Sequence, residues 1–315
     1  MGKTKPRGAF AIFLAVCSSV TVCGSTVLYE TGFEASEGFD LQFTLAGQGG
    51  WMGEGTGGNG LLEETIPGLG QQAYIGFHPP LDEGLTTTLW RPVNYAPAAP
   101  ASDILKFSVT LQFTKSTTGG NDDFRWSVFN TNGVRLFSVD FETSTSVISY
   151  ILQDEEFVAT PYDFVFDGEY DLEIWMDFGR NQWTALLNDF VLVSGQPMTQ
   201  LNSGLHFGDA DAVWSIREEG NPGDNFMAFD NYRVTAETVE IIPPVVENIG
   251  INDQGFYELQ VYGQPGLTYS VDVTSDLEEW FSIGDYVMPE EGTFVLEDTD
   301  TPEFPIGFYR LRYVE

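Results

Sequence analysis

The stretch GEYDLEIWMDFG, residues 168–179, sets three carboxylates two residues apart: Glu169, Asp171 and Glu173. Side chains along a β-strand alternate between faces, so all three point to one side. Acids in such a row can divide the work of bond cleavage between a nucleophile and a proton donor. That division needs the pair about 5–5.5 Å apart. Glu169 and Glu173 stand about 13 Å apart at Cα, and two long side chains leaning together narrow the gap. Trp175 falls on the same face. A plainer reading fits the same residues. Tyr170, Leu172, Ile174, Met176 and Phe178 form a core face, and Glu169, Asp171, Glu173 and Asp177 form a wet one. With 47 acids in the chain, triplets at this spacing also arise by chance.

Other chemistries find less support. His78 in GFHPP and His206 in LHFGD give neither a paired base nor metal-ligand spacing. Both cysteines, Cys17 and Cys23, lie in the first 24 residues. The segment GQGGWMGEGTGGNG is rich in glycine but does not join a strand to a helix, so it reads as a flexible surface loop and not a phosphate cradle. Trp51 within it is either a ligand-binding tip or a loop anchor.

The N-terminus has the order of a secretory signal. MGKTKPR is basic, GAFAIFLAV is apolar, and CSSVTVCGS is small and polar. A cut after Gly24 places Val22 and Gly24 at the two recognition positions. The apolar core is shorter than the about 20 residues of a membrane span. The remaining chain is then secreted, extracellular or periplasmic, with cell-surface association open. It would contain no cysteine, so no disulfide or thiol chemistry. Formal net charge is −34, from 13 basic and 47 acidic residues. That balance excludes nucleic acid and anionic lipid as partners.

These acids need strands to position them, and strand signals dominate. ILKFSVTLQFTK alternates Leu105, Phe107, Val109, Leu111 and Phe113 with Lys106, Ser108, Thr110, Gln112 and Thr114. RWSVFNTNGVRLFSVDFE is a hairpin turning at NTNG. SVISYILQ, YDLEIWMDF and WTALLNDFVLV are further strands. Many short strands with glycine-marked turns predict an all-β protein, an antiparallel sandwich or barrel followed by a second, smaller β-module. The predicted divisions are a signal at 1–24, a larger β-domain at 25–238, a linker at 239–248 stiffened by Pro243 and Pro244, and a small β-domain at 249–315.

LYETGFE, DLEIWMDFGRNQWTALLNDFVLV and MAFDNYRV together resemble the concanavalin A-like or laminin-G-like jelly roll of secreted bacterial proteins. YSVDVTSDLEEW, FVLEDTD and FYRLR resemble a short immunoglobulin- or fibronectin-like C-terminal module. Together the resemblances imply an antiparallel jelly-roll β-sandwich at 25–238 with a second, smaller β-sandwich domain at 249–315. The first resemblance implies an exported, non-catalytic protein that binds polysaccharide, cell-surface glycan or extracellular matrix. Trp51 and Trp175 are its candidate ligand contacts. One enzyme branch, the laminarinase and agarase type, carries Glu-x-Asp-x-Glu on one strand. Likeness to it would make Glu169 the nucleophile, Asp171 its helper and Glu173 the acid/base of a retaining glycosidase. A purely structural surface protein is the third alternative. In jelly-roll relatives the first and last strands lie side by side and a structural Ca2+ pins them, which makes Glu34 and Asp230 candidate metal ligands.

Overall fold

The structure, a computed structural model, describes residues 22–78, 84–97, 104–152, 156–200, 204–239, 244–289, 291–299 and 308–314. Residues 1–21, which hold most of the expected signal, lie outside them, as does Pro243. Among the described residues the one helical segment is a 3-10 turn at Ala35–Glu37. All strand pairing is antiparallel.

The larger body is two stacked sheets, an antiparallel jelly-roll-like sandwich. The first sheet has eight strands. Its centre runs from β11 (Glu169–Asp177) through β6 (Ile104–Phe113) to β15 (Phe226–Val239). β12 (Gln182–Leu187) and β13 (Phe190–Pro197) extend it past β11, and β4 (Gln71–Gly76) and β3 (Asn59–Glu63) extend it past β15. The second sheet has seven strands, among them β7 (Asp123–Phe129), β8 (Arg135–Glu142), β14 (Asp209–Ser215) and β5 (Thr86–Trp90).

Alternation sets what each face does. Phe107, Phe113, Leu172, Ile174, Met176, Trp183 and Tyr232 of the first sheet meet Phe124, Trp126, Phe137, Phe141 and Trp214 of the second, all buried. Trp183 stacks on Phe137 with ring centroids 3.8 Å apart. Each such aromatic removes a large apolar area from water, and together they hold the sheets face to face. The hairpin expected at NTNG is present, with Gly133 at φ 72. The glycine-rich segment differs from its expectation. Met52–Glu54 pairs with β5, and a Cβ on Gly58 would meet the Gly76 carbonyl oxygen at 2.2 Å. Its glycines permit close packing of backbone on backbone.

β1 (Val22–Thr31) pairs with the second half of β15, setting the first and last strands of the sandwich side by side. It begins ahead of the expected cut, since Val22 faces Val239 and Gly24 faces Thr238. β4 takes the first half of β15, over Phe226–Phe229. Between the two halves Asn231 sits at φ 50 and the register against β6 shifts between Asp230 and Arg233. That is a β-bulge, with asparagine at the left-handed position it tolerates better than most residues.

The C-terminal body is two three-stranded sheets, β16 (Val245–Ile251) with β17 (Tyr257–Tyr262) and β20 (Thr293–Asp298), and β19 (Phe281–Val287) with β18 (Thr268–Thr274) and β21 (Phe308–Tyr313). It has its own core around Leu259, Val261, Tyr269 and Val271. Val245–Asn248, expected as linker, pairs with β17. SDLEEW forms no helix. Asp276 Oδ1 there accepts the Glu278 and Glu279 amides at 2.9 and 3.0 Å, an Asx-type turn.

Candidate functional site: a polar cleft on the outer face of the larger sheet

Four adjacent strands of the eight-stranded sheet line up polar side chains facing away from the core. Glu173 of β11 lies opposite Ser108 of β6, Ser108 opposite Arg233 of β15, and Arg233 opposite Glu30 of β1. One step along, Asp171 lies opposite Thr110. Strands are about 4.8 Å apart, so the walls of this row stand about 14 Å apart. Between them is a cleft of about 520 Å³. Small Ser108 and Thr110 form its floor. Asp171 and Glu173 rise on one side, Glu30, Glu37 and Arg233 on the other, and Asn188 and Asp189 border it.

The local sequence explains the walls. Asn188 and Asp189 have φ 47 and 67 and make the two-residue turn between β12 and β13. Asn188 Oδ1 accepts the Asp171 amide at 2.7 Å, and its own amide donates to the Asp171 carbonyl at 2.9 Å, tying turn to strand. The Thr110 hydroxyl donates to Asp171 Oδ1 at 2.8 Å and accepts from Asn231 Nδ2 at 3.2 Å. Glu37 accepts from the Thr31 hydroxyl and from the Gly32 amide.

The acid triplet is on one outward face, as its spacing required. Leu172, Ile174 and Met176 are buried behind it. Asp171 and Glu173 line the cleft, whereas Glu169 at the strand's start does not. Lys106 Nζ lies 2.5 Å from Glu173 Oε1. A carboxylate already held by an ammonium is poorly placed to donate a proton. Lys106 also sits over the Trp175 ring, 4.9 Å from its centroid, and Trp175 Nε1 donates to Glu173 Oε2 at 3.3 Å. The Trp175 face is therefore taken by a lysine. Trp51 is buried, with 2% exposure, against Phe33, Phe229 and Tyr232, and its Nε1 donates to the Tyr29 hydroxyl at 3.2 Å. It is the anchor of its loop and presents no face to a ligand.

Glu34 and Asp230 are brought together beside the cleft. A Cβ on Gly32 would lie 3.6 Å from Asp230 Oδ1, 3.9 Å from Glu37 Oε1 and 4.0 Å from Glu34 Cγ. Asp230 is buried, and its carboxyl is pushed up to about 7 by that burial and by the negative charges of Glu34 and Glu37. The oxygens are of the hard type that calcium takes. However, Asp230 already accepts the Asn231 amide at 2.6 Å and Glu34 the Gln71 amide at 3.3 Å. Among the described residues no three His, Cys, Asp or Glu side chains are grouped to hold a metal ion. The histidines are apart: His206 Nδ1 meets the Thr131 hydroxyl at 2.8 Å, and His78 packs on Phe77.

Glu30, Glu37, Asn188, Asp189 and Arg233 were not singled out by their spacing. Besides Asp171 and Glu173 of the triplet, the polar side of the β6 alternation and the closing MAFDNYRV are the stretches whose pattern points toward the cleft.

No protein-family model and no curated protein matches the chain. Among solved structures it is similar to a sialidase, at 10% identity and TM-score 0.46, over 66% of this chain and 18% of that one. It is also similar to arcelin-5, a lectin-like defense protein from Phaseolus vulgaris, at 10% identity and TM-score 0.42, over 68% of this chain and 99% of that one. A GH131 beta-glucanase catalytic domain from Podospora anserina matches at 13% identity and TM-score 0.43, over 66% and 95%. Likeness at this level reaches no further than overall shape.

Proposed function

We propose that the chain is an exported, non-catalytic protein that binds a polysaccharide or cell-surface glycan in this cleft. In this reading the larger body is a concanavalin A-like, laminin-G-like module, and the smaller one is immunoglobulin- or fibronectin-like. The supporting observation is the cleft itself. It has the volume of a small-molecule site, and hydroxyl, amide, carboxylate and guanidinium groups from four strands face into it. Sugars present hydroxyls that such a fixed array can satisfy without leaving buried groups unpaired.

A retaining glycosidase is the second reading, because Asp171 and Glu173 do line the cleft. The Lys106–Glu173 pair and the position of Glu169 outside the lining weigh against it. A glycan array run beside a reducing-sugar assay separates the two. Binding without sugar release is the expected outcome. Release abolished by Glu173→Gln would establish the enzyme, and silence in both assays would leave the structural alternative.

A structural calcium ion between β1 and β15 belongs to the same proposal, with Glu34 and Asp230 as side-chain ligands and backbone carbonyls and water completing the shell. Binding only the folded state, it would add about 2.7 kcal/mol at a hundredfold excess over its Kd. The expected result is a melting rise with calcium that magnesium does not reproduce and that Asp230→Ala removes. Equal shifts from both cations would reduce the effect to screening.

A further inference from the structure

We propose that the cleft selects saccharides bearing free amines, unacetylated hexosamine units, over neutral sugars and over carboxylated or sulfated ones. The inference rests on the glycan reading of the same cleft.

It starts from which charges in the cleft are answered by opposite charge. Glu173 is met by Lys106 at 2.5 Å, and Glu30 by Arg233 at 3.5 Å. Glu37, Asp171 and Asp189 also line the cleft, and among the described residues none of them has a cation within salt-bridge distance. Their partners are a threonine hydroxyl and a glycine amide for Glu37 and a threonine hydroxyl for Asp171. These bonds orient the carboxylates without neutralising them. Each oxygen also has more than one lone pair, so it can accept a further donor from a ligand.

The walls carry the second part of the argument. Among the described residues no aromatic face is offered to a sugar ring. Tyr232, the one aromatic among the lining residues, is buried, and its hydroxyl donates across the sandwich to the Ala210 carbonyl at 3.2 Å. Trp175 lies outside the lining beneath Lys106. A site without a stacking platform must discriminate by hydrogen bonds and charge. Ser108, Thr110, Asn188 and Asn231 are neutral partners for hydroxyls, and the three unneutralised carboxylates are partners for ammonium. Among the described residues Arg233 is the one lining cation, and it already shares its charge with Glu30 at 3.5 Å, so a ligand carboxylate or sulfate meets one partly answered guanidinium against three unneutralised like charges.

The test is calorimetry on the full chain with three tetrasaccharides: glucosamine, N-acetylglucosamine and galacturonate. An ammonium in contact with a carboxylate at a wet surface is worth about five- to tenfold in affinity. The glucosamine tetramer is expected to bind about tenfold tighter than its acetylated counterpart, and the uronate tetramer not at all. The margin shrinks between low salt and about 0.15 M salt. The variant Glu37→Gln/Asp171→Asn/Asp189→Asn levels the preference, while Glu54→Gln/Glu63→Gln/Glu219→Gln, which removes three exposed carboxylates outside the cleft, keeps it. Equal or tighter binding of the acetylated or uronate tetramer would overturn this inference alone and leave the glycan reading standing. So would a preference that survives the cleft variant or vanishes in the control, since either would make it a property of the whole acidic surface. If no glycan of any kind binds, the reading of the cleft itself fails.

Discussion

Each outer face of the sandwich carries an ion pair beside an aromatic ring, and the two pairs live in different surroundings. On the eight-stranded sheet, Lys106 joins Glu173 and lies over Trp175 at the edge of an open cleft. On the seven-stranded sheet, Arg125 joins Asp140 at 3.0 Å and lies 5.4 Å from the Phe157 ring centroid. The carboxyl side chain is 35% exposed in the first pair and 10% in the second. Burial pushes the Asp140 carboxyl up to about 6 against the pull of Arg125. Nearby on the same sheet, Asp211 Oδ1 is buried with no hydrogen-bond partner among the described residues, and its carboxyl is pushed up to about 9 by burial and by Asp209. Alternation put acids on both outer faces. Depth of cover then sorts them: the cleft acids of the first face stay open to a ligand, whereas Asp140 and Asp211 on the second, like Asp230 behind the cleft, hold a proton more tightly than an exposed acid does.

The contrast gives its largest expected effect at Asp211. Its folded-state value lies above the unfolded one, so the native state holds the proton more tightly. The stability it contributes is full below about pH 4 and is lost as pH rises toward about 9. Asp211→Asn keeps the shape and removes the charge. It should stabilise the protein by about 1–3 kcal/mol near pH 8 and flatten the fall of melting temperature on the alkaline side. An unchanged pH profile would show Asp211 to be solvated like the cleft acids.

Arg125→Met comes next. Without its guanidinium the buried Asp140 carboxylate loses its compensation, for a loss of about 1–3 kcal/mol at pH 8. Arg125 pulls the Asp140 value down, so the variant holds that proton still more tightly; the loss is full well above pH 6, shrinks as pH falls toward about 6, and is gone below it, where both native states are protonated. A loss that stays constant with pH would be packing against Phe157. Lys106→Met on the other face should cost about 1 kcal/mol or less, because that pair is partly solvated. Chemical denaturation of the two variants side by side measures the difference between the faces, and equal losses would erase it. The smallest effect is general. With a net charge of −34 the protein repels itself, so melting temperature should rise modestly between low salt and about 0.1 M salt. A flat curve would mean the acids are well dispersed.

The strand character and facing of β6 and β11 were legible in the sequence, because period two over nine or ten residues leaves little choice. Leu105, Phe107, Val109, Leu111 and Phe113 are buried as that period required. The adjacency of β1 and β15 was expected from resemblance, and the pairing is present. The cleft was legible only in fragments. Glu173 and Lys106 are 67 positions apart, and nothing local in either strand specifies that Trp175 faces Lys106 across the β11–β6 register. The bulge at Asn231 is one residue in a left-handed conformation, and it sets where Arg233 emerges. Trp51 shows the opposite limit. Its glycine-rich surroundings suggest an exposed loop, while those glycines admit the close backbone contacts that let the segment pack down and bury the ring.

The central claim is that ligands meet the outer face of the eight-stranded sheet and not that of the other. Ser108→Trp fills the floor of the cleft, and Thr88→Trp adds the same bulk to the outward side of β5 on the second sheet. The decisive measurement is the affinity of both variants for the best oligosaccharide from the glycan array, with folding checked by thermal melts. A loss of about tenfold or more for Ser108→Trp, with Thr88→Trp unchanged, is the predicted result, since one bulky ring displaces several ligand contacts. Undiminished binding by a folded Ser108→Trp protein, or a loss confined to Thr88→Trp, would contradict it.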